Sequence, residues 1–132
     1  MREILFRGKA LYDGDWVYRS YVYAKDEHII IPKNAEHWGG AEFNRGYLVD
    51  PETVGQYTGI TDKDGKRIFE GDIVRLLTKR HPNPKKVVFD GGAFCHQDFE
   101  KEWMTHELRT YEDGQFEVIG NIHDNPELIE GE

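Results

Sequence analysis

The residues best equipped for chemistry are six histidines, one cysteine and an acidic stretch at residues 61–72, TDKDGKRIFEGD. The DKDG core invites comparison with a calcium loop, which needs carboxylates at positions 1, 3 and 5, Gly at 6 and a bidentate Glu at 12. With Gly65 at position 6, Asp64 and Asp62 fall at 5 and 3, but Ile60 stands at 1 and Gly71 at 12. Both end ligands are missing, so the spacing predicts a turn. Asp64-Gly65 suits a type I′ hairpin, whose two central residues take positive φ, and in that hairpin the Asp62 carboxylate points into solvent. The histidines (His28, His37, His81, His96, His106 and His123) form neither HExxH nor a paired C-x-x-C framework. Cys95 and His96 are adjacent, and strand neighbours point to opposite faces, so one metal rarely takes both. Glu102 and His106 lie four apart and share a face if helical, yet two ligands make a weak site. For the same reason His96 is badly placed as a base for Cys95, which reads as a small buried apolar residue. Gly39-Gly40 and Gly91-Gly92 lack the further glycines and following helix of a nucleotide-phosphate loop. The expectation is a protein without catalytic, metal-binding or cofactor-binding residues.

Two features point to binding. Arg75, Lys79, Arg80, Lys85 and Lys86 bracket HPNP and form a local basic cluster. Charge and proline of this kind also protect edge strands from aggregation, and the pattern favours that reading over phosphate contact. The second feature is a surplus of aromatics: Trp16, Tyr18, Tyr21, Tyr23, Trp38, Phe43 and Tyr47. Small β units cannot bury every ring, and exposed Trp and Tyr anchor interfaces. The candidate interaction surface is therefore Trp38, Phe43, Tyr47, Arg75, Lys79, Arg80, Lys85 and Lys86.

The elements that must position these residues read as strands. WVYRSYVY alternates, with Trp16, Tyr18, Ser20 and Val22 on one face and Val17, Arg19, Tyr21 and Tyr23 on the other; Asp13-Gly14 precedes it, and KDEH separates it from Ile29 to Ile31. Residues 32–46, PKNAEHWGGAEFNRG, show no period and form a long loop, a class enriched in function. Beyond Asp50-Pro51, a boundary signal, strands are predicted in VGQYTGIT, KRIF, IVRLLTK, on both sides of Asp90-Gly91, and in QFEVIGNI. DFEKEWMTHELRTYED is the one helix candidate, with Asp98 as N-cap, although MTHELRTY also reads as a strand. Asn125-Pro126 suits the N-cap and first position of a short final turn. Short strands with Gly and Asp turns argue for a small sandwich or barrel.

The chain has 132 residues, 38% of them hydrophobic, with 17 Lys and Arg against 25 Asp and Glu for a net charge of −8. That balance disfavours nonspecific nucleic-acid binding, which draws on neutralised phosphates. No run approaches the ~20 apolar residues that span a bilayer, no signal-peptide core is present, and a lone cysteine forms no intrachain disulfide. A soluble cytoplasmic protein is expected.

The strings VGQYTGITDKDGKRIFEGDIV, VVFDGGAF and FEVIGNIHDNPELIEG, with the opening MREILFRGKALYDGDWVY, resemble the YopX-like family of phage and prophage proteins. The resemblance spans nearly the whole chain, though residues 32–47 and 96–113 carry little of it. It implies a mainly β fold, an SH3-like barrel in the C-terminal part, a gene carried by a phage or prophage, and no known activity or site residues. The resulting expectation is a β-meander and long loop over residues 1–50, an SH3-like barrel over 51–132, and at most one short helix. In function it is a non-enzymatic β module that self-associates or binds a phage or host protein. The alternative is a nucleic-acid-linked regulator that uses the basic cluster or acts as an acidic decoy.

Overall fold

The computed structural model describes residues 3–32, 46–80 and 82–130. It is mainly β, with antiparallel strands throughout and one short helix. Contacts divide the chain into Met1–Gln56 and Tyr57–Glu132.

The first unit is a meander of β1 (Phe6–Lys9), β2 (Trp16–Ala24), β3 (Glu27–Ile31) and β4 (Tyr47–Leu48), with the start of β5 (Gly55–Thr61) pairing back on β1. Tight connection sets its register. Ala24 faces Glu27, so only Lys25 and Asp26 turn the chain, and both take positive φ (53° and 63°). The two-residue I′ turn therefore lies here, because this geometry matches strand twist. On β1, Arg7 is buried with its guanidinium 4.6 Å from the Trp16 ring centroid, so Trp16 is a partner to a cation. Pro51 opens a 3-10 turn (Pro51–Thr53) in which the Asp50 carboxylate accepts the Glu52 N–H.

The second unit joins the rest of β5 to β6 (Arg67–Phe69), followed by a sheet in the order β10-β9-β8-β7-β11. Its strands are β7 (Asp72–Leu76), β8 (Lys85–Asp90), β9 (Ala93–Asp98), β10 (Thr105–Glu107) and β11 (Phe116–Asn121). The core gathers Val74, Leu76, Val87 and Phe116 with Ile68 of β6 and Leu108 of a 3-10 turn. Phe116 is fully buried, a burial that stabilises by about 1.5–3 kcal/mol. The expected barrel does not close: among the described residues, β10 and β11 end the sheet without pairing with each other. The hairpin tip seals the outer edge of β11 instead, with Lys63 N–H donating to the Phe116 carbonyl (2.8 Å) and Gly114 N–H to that of Thr61 (3.0 Å).

The opening acidic stretch is this hairpin tip, and its details correct the sequence expectation twice. Asp62 N–H donates to the Lys66 carbonyl and Gly65 N–H to that of Asp62, leaving a three-residue loop. In such a loop one residue is left-handed. Gly65 has φ +80° and Asp64 has no positive φ, so the turn is not type I′. Asp62 does not face solvent. It is 4% exposed, and its carboxylate accepts N–H groups of Asp64 (2.9 Å), Lys66 (2.9 Å) and Val118 (3.1 Å).

Residues 98–113 form no continuous helix. The Asp98 carboxylate does accept the Glu100 and Lys101 N–H groups, as a helix cap would, but only one turn follows. Thr105, His106 and Glu107 then pair with Gln97, His96 and Cys95, placing Leu108 in the core. Ladder bonds and core burial outweigh helix propensity, which is a weak prior. Among the described residues the one α-helix is α1 (Glu127–Glu130), near the turn expected at Asn125-Pro126. Asn125 Oδ1 accepts the Asn121 N–H and so ties the turn back to β11.

Candidate interaction sites

In the first unit, β1 ends in a turn that holds apolar side chains out of the fold. Ala10 N–H donates to the Asp15 carbonyl and Gly14 N–H to that of Ala10, while Leu11 N–H donates to the Leu48 carbonyl (each 2.9 Å). These bonds fix residues 10–15 beside β4. Gly46 is required at the entry to β4, because a Cβ there would lie 2.3 Å from the Ile29 side chain and 3.1 Å from the Ile30 carbonyl oxygen. The result is a groove of about 510 Å³ lined by residues 10–13 and 46–48. Tyr12 at the turn tip is 98% exposed, and Leu11, Tyr47 and Leu48 are also exposed. Among the described residues that line the groove, Asp13 is the one with a charged side chain.

Tyr47 is thus the expected surface residue that the fold places in a concave apolar site; Trp38 and Phe43 lie outside the described residues. Leu11, Tyr12 and Leu48 complete the groove and were not singled out. For Leu11 and Tyr12 the signal was visible in LYDGDW, where two large apolar residues abut a turn. The other aromatics are engaged within the unit. Tyr21 hydroxyl and His28 Nδ1 share a 2.5 Å hydrogen bond, and the Tyr23 ring lies 4.6 Å from that of His28.

In the second unit the basic residues do not form one free patch. Lys85 Nζ donates to Asp98 (2.6 Å) and Lys86 Nζ to Glu102 (2.8 Å). Arg75 is exposed on β7 opposite Glu117 of β11. Lys79 and Arg80 are exposed in the β7–β8 connection. Edge protection does not describe the cluster, because β7 and β8 are internal to the sheet. The Lys85 hydrogen bond, with backbone N–H groups of Lys101 and Glu100, holds the Asp98 carboxyl down at about 2.

His96 is 4% exposed in the core, with Nε2 3.2 Å from the Tyr111 hydroxyl and its ring 5.1 Å from that of His106. Burial, then His106, Lys85 and Lys79, lower its pKa to about 4, so it is neutral at pH 7. Cys95 is buried on the opposite face of β9, and burial pushes its thiol up.

Comparison with known proteins places these features in a family. Residues 5–130 match the family model described as YopX protein. A solved structure, that of protein EF1440 from Enterococcus faecalis, aligns with 98% of this chain and 99% of its own at 22% identity and a TM-score of 0.57, a likeness of fold. No curated protein matches.

Proposed function

Because this chain belongs to the YopX family, we propose that it is a non-enzymatic, phage- or prophage-encoded β module that self-associates through the Tyr12 groove in the cytoplasm of its host. The observation that carries this reading is an open apolar groove with a fully projecting ring at its rim. An isologous contact uses one patch twice and so needs a projection and a recess side by side. Charge favours a second copy at this place: a chain of net charge −8 repels itself, least where a single Asp is the charged lining residue. Among the described residues no helix is long and apolar enough to cross a membrane. Nucleic-acid binding through the basic cluster has less support, since Asp98 and Glu102 already hold Lys85 and Lys86.

Size-exclusion chromatography with light scattering tests the proposal. The parent should run as a dimer at micromolar concentration, and the double variant Tyr12→Ser, Leu48→Ser as a monomer with an unchanged melting temperature. A monomeric parent overturns self-association.

A further inference from the structure

The connection between β7 and β8 roofs a second cavity that belongs to neither the groove nor the hydrophobic core. It measures about 70 Å³ and is lined by Leu76, Lys79, Pro82, Asn83, Lys85 and His96. At the ~30 Å³ each water occupies in the liquid, the space suits about two waters or one tetrahedral ion. Among the described residues no carboxylate lines it, in a chain with 25 of them. Its lining residues include two lysines, an asparagine and a histidine, with the Lys85 ammonium also bonded to Asp98.

We propose that this cavity binds an oxyanion of the phosphate class, either free or as the terminal group of a small phosphomonoester. An ammonium has three donors; Lys85 uses one on Asp98 and keeps others for a ligand. Lys79 is exposed on the loop, so its side chain is free to turn toward an anion in the cavity it lines. Asn83 adds amide donors that bond without charge. His96 forms a nearly dry wall, with Nε2 held by Tyr111, and a dry wall strengthens the pull of nearby charges. The basicity of His96 is depressed chiefly by burial and then by His106, with smaller contributions from Lys85 and Lys79, which places both lysines within electrostatic reach of the ring. Asp98, the nearest countercharge, spends its oxygens on Lys85 and on two backbone N–H groups. A duplex needs many free cations along a track; this site offers a single pocket for one anion. The inference is independent of the Tyr12 groove, which lies in the other unit.

Nuclear magnetic resonance of the full chain tests it, with inorganic phosphate titrated against chloride at constant ionic strength. Saturable shifts are expected at Lys79, Asn83 and His96. Lys79→Gln should weaken binding about tenfold, as loss of one hydrogen bond to a charged group does, whereas Arg80→Gln should change it by less than about twofold, because it removes the same charge from the same loop outside the cavity lining. Both side chains are exposed, so both variants should fold as the parent does. A parallel titration with glycerol phosphate identifies the source: equal binding assigns a phosphomonoester, and binding of inorganic phosphate alone assigns the free ion. Shifts that do not saturate, or equal weakening by the two variants, would reduce the effect to diffuse counterion attraction and overturn the proposal.

Discussion

Replacing Asp62 with Ala is the sharpest test of how the hairpin tip is held. The carboxylate is 4% exposed and accepts three backbone N–H groups, two within its own loop and one from Val118 on β11. The alanine variant leaves these donors unequal. Asp64 and Lys66 are exposed, and water can take over their N–H groups. The Val118 N–H is part-buried and less open to water, and leaving a donor unsatisfied at such a site costs about 1–3 kcal/mol. Adding about 1 kcal/mol for loosening the loop gives a total of roughly 2–4 kcal/mol, or on the order of 10 °C in melting temperature for a chain of this size. Asp62→Asn should fall about halfway, because the amide keeps one acceptor but sets its own N–H groups against at least one of the three donors. Asp64→Ala is the control: its carboxylate is exposed and meets only Lys63 at 3.5 Å, a surface pair worth little. Acid should act in the same direction. Desolvation raises the Asp62 pKa, but the hydrogen bonds from Val118, Asp64 and Lys66 outweigh it and the net shift is downward. A depressed carboxylate stabilises the fold above its ordinary pKa, 3.8, and that contribution is lost as pH falls below it. Urea denaturation followed by circular dichroism measures each variant. A loss below about 1 kcal/mol for Asp62→Ala, or one equal to that of Asp64→Ala, would refute the reasoning.

Gly65→Ala should cost about 1 kcal/mol in the same assay, entirely through the left-handed backbone, since nothing lies within 4 Å of the added Cβ. His96 should give the protein a second pH dependence. Its folded pKa of about 4 lies below the ordinary 6.5, so the unfolded chain takes up the proton first and stability falls as pH drops from 6.5 towards 4, by roughly 3 kcal/mol in all. His96→Gln should flatten that slope, and a parent whose stability is unchanged between pH 7 and 4.5 would show that His96 is not held neutral.

The local signals legible in the chain were those whose cause is local. The strand in WVYRSYVY, the glycine demanded near Asp64, and the strands on either side of residues 91–92 follow from backbone sterics and residue type, and each appears in the fold, although burial along β2 does not alternate as the sequence pattern suggested. The turn type at Gly65 was misread because it depends on whether two or three residues separate the paired strands, a matter of register. Lys25 and Asp26 carry the I′ geometry without glycine because the β2–β3 register leaves them no alternative. The helix expected in residues 98–113 was lost to pairing of β10 with β9, which no window of sequence can contain.

By itself the amino-acid order determined a mainly β protein, its acidic surface and its likeness to YopX proteins, because composition, period and long matching strings are properties of the chain alone. Only the tertiary structure decided what each polar or aromatic side chain does. Asp62 reads as a solvent-facing turn residue until β11, 56 positions away, brings the Val118 N–H to its carboxylate. Lys85 and Lys86 read as free cations until strand pairing sets them beside Asp98 and Glu102. Leu11 and Tyr12 drew no notice in the sequence, and it is β4 that makes them the wall of a groove. In each case the deciding partner is distant in sequence and its distance in space is a few ångströms, and hydrogen bonds, ion pairs and burial depend on the second separation alone.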